Sequence, residues 1–428
     1  MGMRQDVTTS ATWRASARHV PKLAAKALAL SWPPNLAVVA RNVAASRKSR
    51  PWLDFVEQNG GLPFLDAARD EAIGWLCHAH ARTTRGGVAC YDFYRWTPGY
   101  PEVTGYIIPT FWDCASALGR PELAAHALQM AEWELSVQRP DGGWEGGYQG
   151  DGKPSTVFNT GQVIRGLLRT WSETGEARYL DAADRAGSWI VANQEDDGSW
   201  ARANFKGMRR VYDSYVSAAL VRLAASTGDD RYRHAAIRNC EFVLANQRPN
   251  GWFANADNSP YGNDVPVTHT ICYTIDGLLE CGALLEEDAF SDAGRLAADA
   301  MIDRLERWPV LYGRLDAEWE PRVDWVCLTG VAQLGVIALV LHERTGDGRY
   351  VDAAQTLVDF LVWTQELNGV GRHRRGAIAG AYPIWGLYCP LKYPSWATKY
   401  FVDVTLELGA RADGGSLHRA MAGTGDHP

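Results

Sequence analysis

The chain has 428 residues, 46% of them hydrophobic and 22% charged, with a net charge of −7, enough apolar material for one large core or two ordinary ones. No apolar run approaches the length of a membrane span. The eight cysteines include no CxxC pair, and no signal peptide is visible, so the expected location is a reducing cytoplasm. Charge is uneven: residues 1–50 hold nine Lys or Arg against Asp6, which puts that arm at +8 and the remainder at −15. An acidic body argues against nucleic acid as a partner.

The first element in chain order is the basic extension, residues 1–60. Within it VPKLAAKALAL offers an amphipathic helix with Lys22 and Lys26 on its polar side. Such a helix either touches the inner membrane surface peripherally or packs on the acidic body. A repeat follows. QRPDGGW begins at Gln138, QEDDGSW at Gln194, QRPNGWF at Gln247 and a worn copy, QELNG, at Gln365. The first two steps are 56 and 53 residues, the next lands near Glu306, and a step back reaches Thr83, so six units of about 55 residues cover positions 69 to 410. Each unit has an amphipathic helix, an Asp-Gly or Asn-Gly turn, a loop rich in Trp, Tyr and Gly, and a second, more apolar helix. A TG-D-type connector often ends that second helix, as in ETGEARY, STGDDRY and RTGDGRY. A helix apolar on nearly all sides is buried and an amphipathic one faces water. The second helices therefore form an inner ring and the first an outer ring. The expected fold is all-α, an (α/α)6 toroid over residues 61–412, with 413–428 a flexible tail.

In such a ring the N-terminal ends of the inner helices, and the loops before them, converge on one cavity. In the first unit that segment holds Arg95, Trp96, Tyr100, Glu102 and Tyr106. Glu102 follows a proline at a helix start, where an acid also complements the helix dipole. FNTGQ places Asn159 in the second unit. The third supplies Arg210, Tyr212 and Asp213, the last also readable as an N-cap. In the fourth, His269 opens a buried helix with Tyr273 one turn later on the same face; a satisfied core histidine is the alternative. The fifth offers Trp325, and the sixth the RHRR run from Arg372, then Lys392, Trp396, Lys399 and Tyr400. Glu102, Tyr106, Asp213, His269 and Tyr273 are the catalytic candidates, and Arg95, Trp96, Tyr100, Asn159, Tyr212, Trp325, Lys392, Trp396, Lys399 and Tyr400 the substrate-binding ones. Units one and four lie three places apart, so Glu102 and Tyr106 should face His269 and Tyr273. Units one and six are neighbours in a closed ring, so Arg95, Lys392 and Lys399 should make one positive wall beside Glu102. Trp144, Trp200 and Trp252, beside the turns, read as packing between hairpins.

Six hairpins of this grammar resemble a broad group: six-hairpin glycosidases, polysaccharide lyases and epimerases with helical toroids, and terpenoid cyclases with their QW repeats. NQEDDGSW, and the pairing of QRPDGGWEGGY with FNTGQVIRGLLRTWSETG, is similar to the helical catalytic region of glucuronyl C5-epimerases. That resemblance implies a carbohydrate-active enzyme on an acidic, uronate-containing oligo- or polysaccharide, working by proton abstraction at C5. The outcome is epimerisation, or β-elimination if the leaving oxygen is protonated. A glycoside hydrolase would use Glu102 and Asp213 as its carboxylate pair. A terpenoid cyclase or prenyltransferase is the further alternative, and neither DxDD nor DDxxD occurs. A non-catalytic glycan-binding toroid also remains. Cys272, Cys327 and Cys389 read as packing thiols rather than zinc ligands, so no metal or cofactor is expected.

Overall fold

The structure is a computed structural model that describes residues 33–46, 55, 58, 62–83, 86–259, 262–308, 310–367 and 373–412. Lys22, Lys26 and the 413–428 tail lie outside the described residues. Thirteen α-helices carry the described chain. The inner ring is α3 (Pro101–Ala117), α5 (Val157–Thr174), α7 (Ser214–Thr227), α9 (Thr268–Leu285), α11 (Leu328–Thr345) and α13 (Ser395–Ala412). Each packs on the next, and α13 returns to α3, closing the toroid. The outer ring is α2 (Leu62–His80), α4 (Pro121–Val137), α6 (Ala177–Ala192), α8 (Asp230–Ala245), α10 (Asp288–Arg307) and α12 (Arg349–Thr364).

The compact hairpin is framed differently from the sequence unit. Each inner helix packs on the outer helix that follows it through the short connector, and the sixth inner helix, α13, packs on α2 from the start of the ring. The connectors explain the tight partnership. Gly175, Gly228 and Gly346 take φ of 70°, 73° and 72°, the left-handed turn that ends a helix without Cβ strain. The tyrosine that follows then reaches back to an acid of the preceding outer helix: Tyr179 to Glu132, Tyr232 to Asp184 at 2.6 Å and Tyr350 to Asp299 at 2.7 Å.

The repeated turn does the same work from the other end. Gln138, Gln194, Gln247 and Gln365 each donate one amide to a carbonyl of their own turn and a second bond to the next outer helix. The distant acceptors are the carbonyls of Ala182, Ala235, Ala293 and Ala68, each 2.8–2.9 Å away. The turn glycine is pressed against that same helix: a Cβ on Gly198 would lie 2.3 Å from the Arg238 carbonyl, and one on Gly376 2.0 Å from that of Glu71. The turns thus staple outer helix to outer helix around the ring. Trp144 and Trp200, both fully buried, donate their indole N–H to the Glu134 and Ile190 carbonyls and pack as expected.

The long loops all gather at the inner-helix N-terminal end. Short strands tie those of the first and last units together: β1 (Tyr91–Asp92) pairs with β2 (Arg95–Trp96) and with β5 (Lys392–Tyr393), setting Asp92 opposite Lys392. β3 (Val326–Cys327) pairs with β4 (Ala381–Tyr382). Helix α1 (Pro33–Ser46), from the basic extension, packs on these loops through Arg41–Glu366 at 2.7 Å and an Asn42 bond to the Ile384 amide. Below the mouth the barrel is filled with charge. Arg165 and Arg222 hold Glu280 at 2.8 and 2.6 Å, Arg169 holds Asp113 at 2.6 Å, and Lys399 holds Asp403 at 2.6 Å. Burial works against the Glu280 carboxylate, but its two arginines outweigh that and keep it at about 2.

Candidate active site

Pro101 fixes the first turn of α3, and Glu102 directly after it turns into the barrel. Its Oε2 accepts from the Tyr100 hydroxyl at 2.6 Å. Its charge bears on Tyr106, Tyr212 and Tyr273, so it stands between the mouth and the floor of the barrel. Glu102 keeps some solvent contact yet has protein on every side, as a cleft-lining group does. Lost hydration outweighs one neutral donor, and burial pushes its carboxyl up to about 7 against the pull of Tyr100.

Around it lies a half-buried ring of aromatic groups. The Tyr100 ring meets Tyr148 at 5.2 Å and Trp396 at 6.2 Å. Trp396 donates to the Tyr388 hydroxyl at 2.8 Å, and Lys392 donates to the Tyr148 hydroxyl at 3.2 Å. The floor below is closed. Tyr273 packs on His269 at 4.4 Å, on Phe158 and Tyr215 at 5.0 Å each and on Tyr400 at 6.2 Å, and Tyr106 meets Tyr400 at 6.0 Å. The Tyr273 hydroxyl lies beside Tyr106 but has no partner in normal bonding geometry. Units one and four do face each other, with tyrosines meeting across the axis. His269 Nδ1 sits 2.6 Å from Gln333 Oε1, and burial pushes its ring down to about 4, against that bond, so it is a neutral base at pH 7.

Asp213, just before α7, is fully buried. Its Oδ2 accepts from Asn204, and its Oδ1 has no partner. Burial pushes it up to about 7, opposed by Asn204 and by the Arg210 charge. Tyr212 beside it stands edge-on to Phe158 at 5.1 Å.

The other predicted residues scatter. Lys399 lies below the mouth, buried on the Tyr400 ring and paired with Asp403. Arg95 points outward over Tyr94. The single positive wall of Arg95, Lys392 and Lys399 is thus not assembled: only Lys392 stands in the ring, and it has no ion pair among the described residues. Trp96 belongs to a separate cluster with Trp75, His78 and His373. Trp325 is buried against Val267 and Cys327, and Asn159 donates to the Glu145 carbonyl at 2.9 Å. The described part of the RHRR run is engaged by protein: Arg374 with Asn35, Arg375 with Glu71. Tyr148, Tyr388, Gln333 and Asn204 escaped the sequence reading. Tyr148 alone had a local signal, at the end of the first repeat turn in GGY.

A separate hollow of about 420 Å³ opens between α1 and the Trp363–Glu366 segment. Its lining includes Leu328, the first residue of α11, and Tyr382, but none of Tyr100, Tyr148, Tyr388, Lys392 and Trp396. Among the described residues no cluster of His, Cys, Asp or Glu has the makings of a metal site, and no helix is long and apolar enough to cross a membrane.

No protein-family model matches the chain, and no curated protein matches it in sequence. Its fold is similar to that of an unsaturated glucuronyl hydrolase specific for heparin, at 14% identity and TM-score 0.66, covering 83% of this chain and 100% of that one. The unsaturated glucuronyl hydrolase of Streptococcus agalactiae matches at 12% identity and TM-score 0.59, over 80% of this chain and 90% of that one. The cellobiose 2-epimerase of Spirochaeta thermophila matches at 14% identity and TM-score 0.63, over 82% and 98%. At these identities the likeness shows the (α/α)6 toroid, as the sequence grammar led one to expect.

Proposed function

We propose that the protein is a carbohydrate-active enzyme that takes an acidic, uronate-bearing glycan at the mouth of its toroid, with Glu102 as the group that moves the proton. The observation that carries this is the Glu102 carboxyl, held at about 7 inside a ring of Tyr100, Tyr148, Tyr388 and Trp396. Aromatic faces with a few convergent polar groups suit a sugar. A carboxyl near 7 both accepts and returns a proton at neutral pH. Lys392 supplies positive charge for a uronate carboxylate, and the neutral His269 and the Tyr273 hydroxyl, in the floor below Glu102, are the remaining candidates for the opposite sugar face. Abstraction at C5 followed by protonation of the opposite face gives epimerisation; cleavage of the C4–O bond, with a proton delivered to the leaving oxygen, gives β-elimination.

A second reading is hydrolysis. It is favoured by the second carboxyl near 7, that of Asp213, and by the hydrolase activity for which the glucuronyl hydrolases with this fold are named. Incubation with uronate-containing oligosaccharides in deuterated water separates the outcomes. Deuterium at C5 without cleavage marks epimerisation, an unsaturated chromophore marks elimination, and new reducing ends alone mark hydrolysis. Glu102→Gln lowers the rate about 10²–10⁴-fold in any of them; a folded variant with full turnover removes Glu102 from the mechanism.

A further inference from the structure

The loop before α7 holds a charged group that the proposed proton chemistry does not use. Arg210 is fully buried. Its Nη2 meets the sulfur of Met208 at 3.1 Å, the Tyr212 hydroxyl lies beside the guanidinium, and its Nε and Nη1 reach no acceptor in bonding geometry. The guanidinium lies against Tyr212, 6.0 Å from the ring centroid, and forms no ion pair among the described residues. Three residues on, Asp213 Oδ1 is equally buried and equally unpartnered. The Arg210 charge favours the Asp213 carboxylate without bonding to it, and buried donors and a buried acceptor left open are costly. Two unmet groups of opposite polarity in one four-residue stretch share an answer: a ligand that offers an anionic acceptor to one and a hydroxyl donor to the other.

We propose that Arg210, with Tyr212, Asp213 and Asn204, forms the subsite for the acidic unit of the glycan. Arg210 takes the carboxylate, in the planar two-donor geometry a guanidinium offers, and Asp213 Oδ1 takes a neighbouring ring hydroxyl. Tyr212 joins this subsite to the proton-transfer centre, since its ring stands on Phe158 and Phe158 stands on Tyr273. The stretch beside the subsite is irregular and partly exposed. Ala201–Ala203 and Phe205–Gly207 are single 3-10 turns, Lys206 between them has φ of 65°, and Phe205 is 48% exposed. Asn204, from the middle of that stretch, is the residue bonded to Asp213. The subsite rests on the reading above that the substrate carries a uronate.

The test is calorimetric binding of D-glucuronate, with D-glucose as the neutral control, to wild type, Arg210→Gln, Arg210→Lys, Asp213→Asn and, as a surface control, Arg295→Gln. Expected is binding of glucuronate in preference to glucose, weakened about tenfold or more by Arg210→Gln and by Asp213→Asn, and little changed by the surface control Arg295→Gln. If Arg210→Gln fails to fold by circular dichroism, Arg210→Lys and Asp213→Asn decide: weakened binding in both upholds the subsite. Unchanged affinity in the folded Arg210 and Asp213 variants, or no glucuronate binding by wild type, overturns it. The two proposals fail separately. Glucuronate bound through Arg210 without turnover of any uronate glycan keeps the subsite and loses the catalytic reading. Turnover of uronate glycans with kcat/KM untouched by Arg210→Gln keeps the reading and loses the subsite.

Discussion

The Tyr100 hydroxyl donates to Glu102 Oε2 across 2.6 Å, and Glu102 still sits at about 7. The bond favours the charged form and burial disfavours it, and burial is the larger of the two. Removing the donor leaves burial unopposed. Tyr100→Phe therefore raises the Glu102 midpoint further above 7, read from the carboxylate band in infrared difference spectra. A fall in the midpoint contradicts the assignment.

The repeat glutamines carry stability rather than chemistry. Gln247→Ala removes bonds to the Gly251 and Ala293 carbonyls at 3.2 and 2.8 Å and should cost about 1–3 kcal/mol. Gln365→Ala should cost more, because its amide is buried and its acceptor, Ala68, belongs to the helix that closes the ring. Urea midpoints measure both. The double variant should be additive within about 0.5 kcal/mol, the sites being distant.

Two glycines with nearly the same φ separate backbone strain from crowding. Gly175→Ala, at φ 70° with nothing within 4 Å of the new methyl, pays only the left-handed term, about 1–2 kcal/mol. Gly198→Ala, at φ 84°, adds a methyl 2.3 Å from the Arg238 carbonyl and should cost roughly 1–3 kcal/mol beyond that. Equal losses in thermal unfolding would contradict the packed turn.

Glu134 is fully buried with both carboxyl oxygens unpartnered, and burial raises it well above its ordinary 4.5. A carboxyl raised on folding gives stability that is complete below the unfolded value and is lost as pH climbs toward the folded one. Glu134→Gln should therefore gain on wild type as pH rises above the unfolded value, in urea midpoints measured from pH 5 upward. A difference that does not vary with pH shows that Glu134 ionises alike in both states.

The toroid was legible because its signals are local. Gln138, Gln194 and Gln247 recur with their turn glycines, and the RY pairs at Tyr179, Tyr232 and Tyr350 mark the connectors. The hairpin frame was not, because packing decides it: the short connector holds inner to outer helix more tightly than the long loop does. Glu102, Asp213, His269 and Tyr273 could be picked out by their places at helix starts, and the structure sets them at one end of the barrel. Lys399 misled because one helical step beyond Trp396 moves a side chain down the axis, to Asp403. Tyr148 and Lys392 meet across 244 residues of sequence, and Trp396 reaches Tyr388 through a long irregular loop. Neither leaves a periodic trace.

The seam between α13 and α2 also sets a schedule. Gln365 and Ala68, which close the outer staples, are 297 residues apart, and α3 lacks its last inner neighbour until α13 exists. On the ribosome, five hairpins can therefore condense one after another, each on its predecessor, while the growing arc keeps two raw apolar flanks. Closure of so long a loop comes late and is slow relative to the local steps. The vulnerable species in synthesis is this open arc. A lesion in α13 should reveal itself as aggregation of nascent chains and dependence on chaperones before it reveals itself as a shift in the stability of the finished ring.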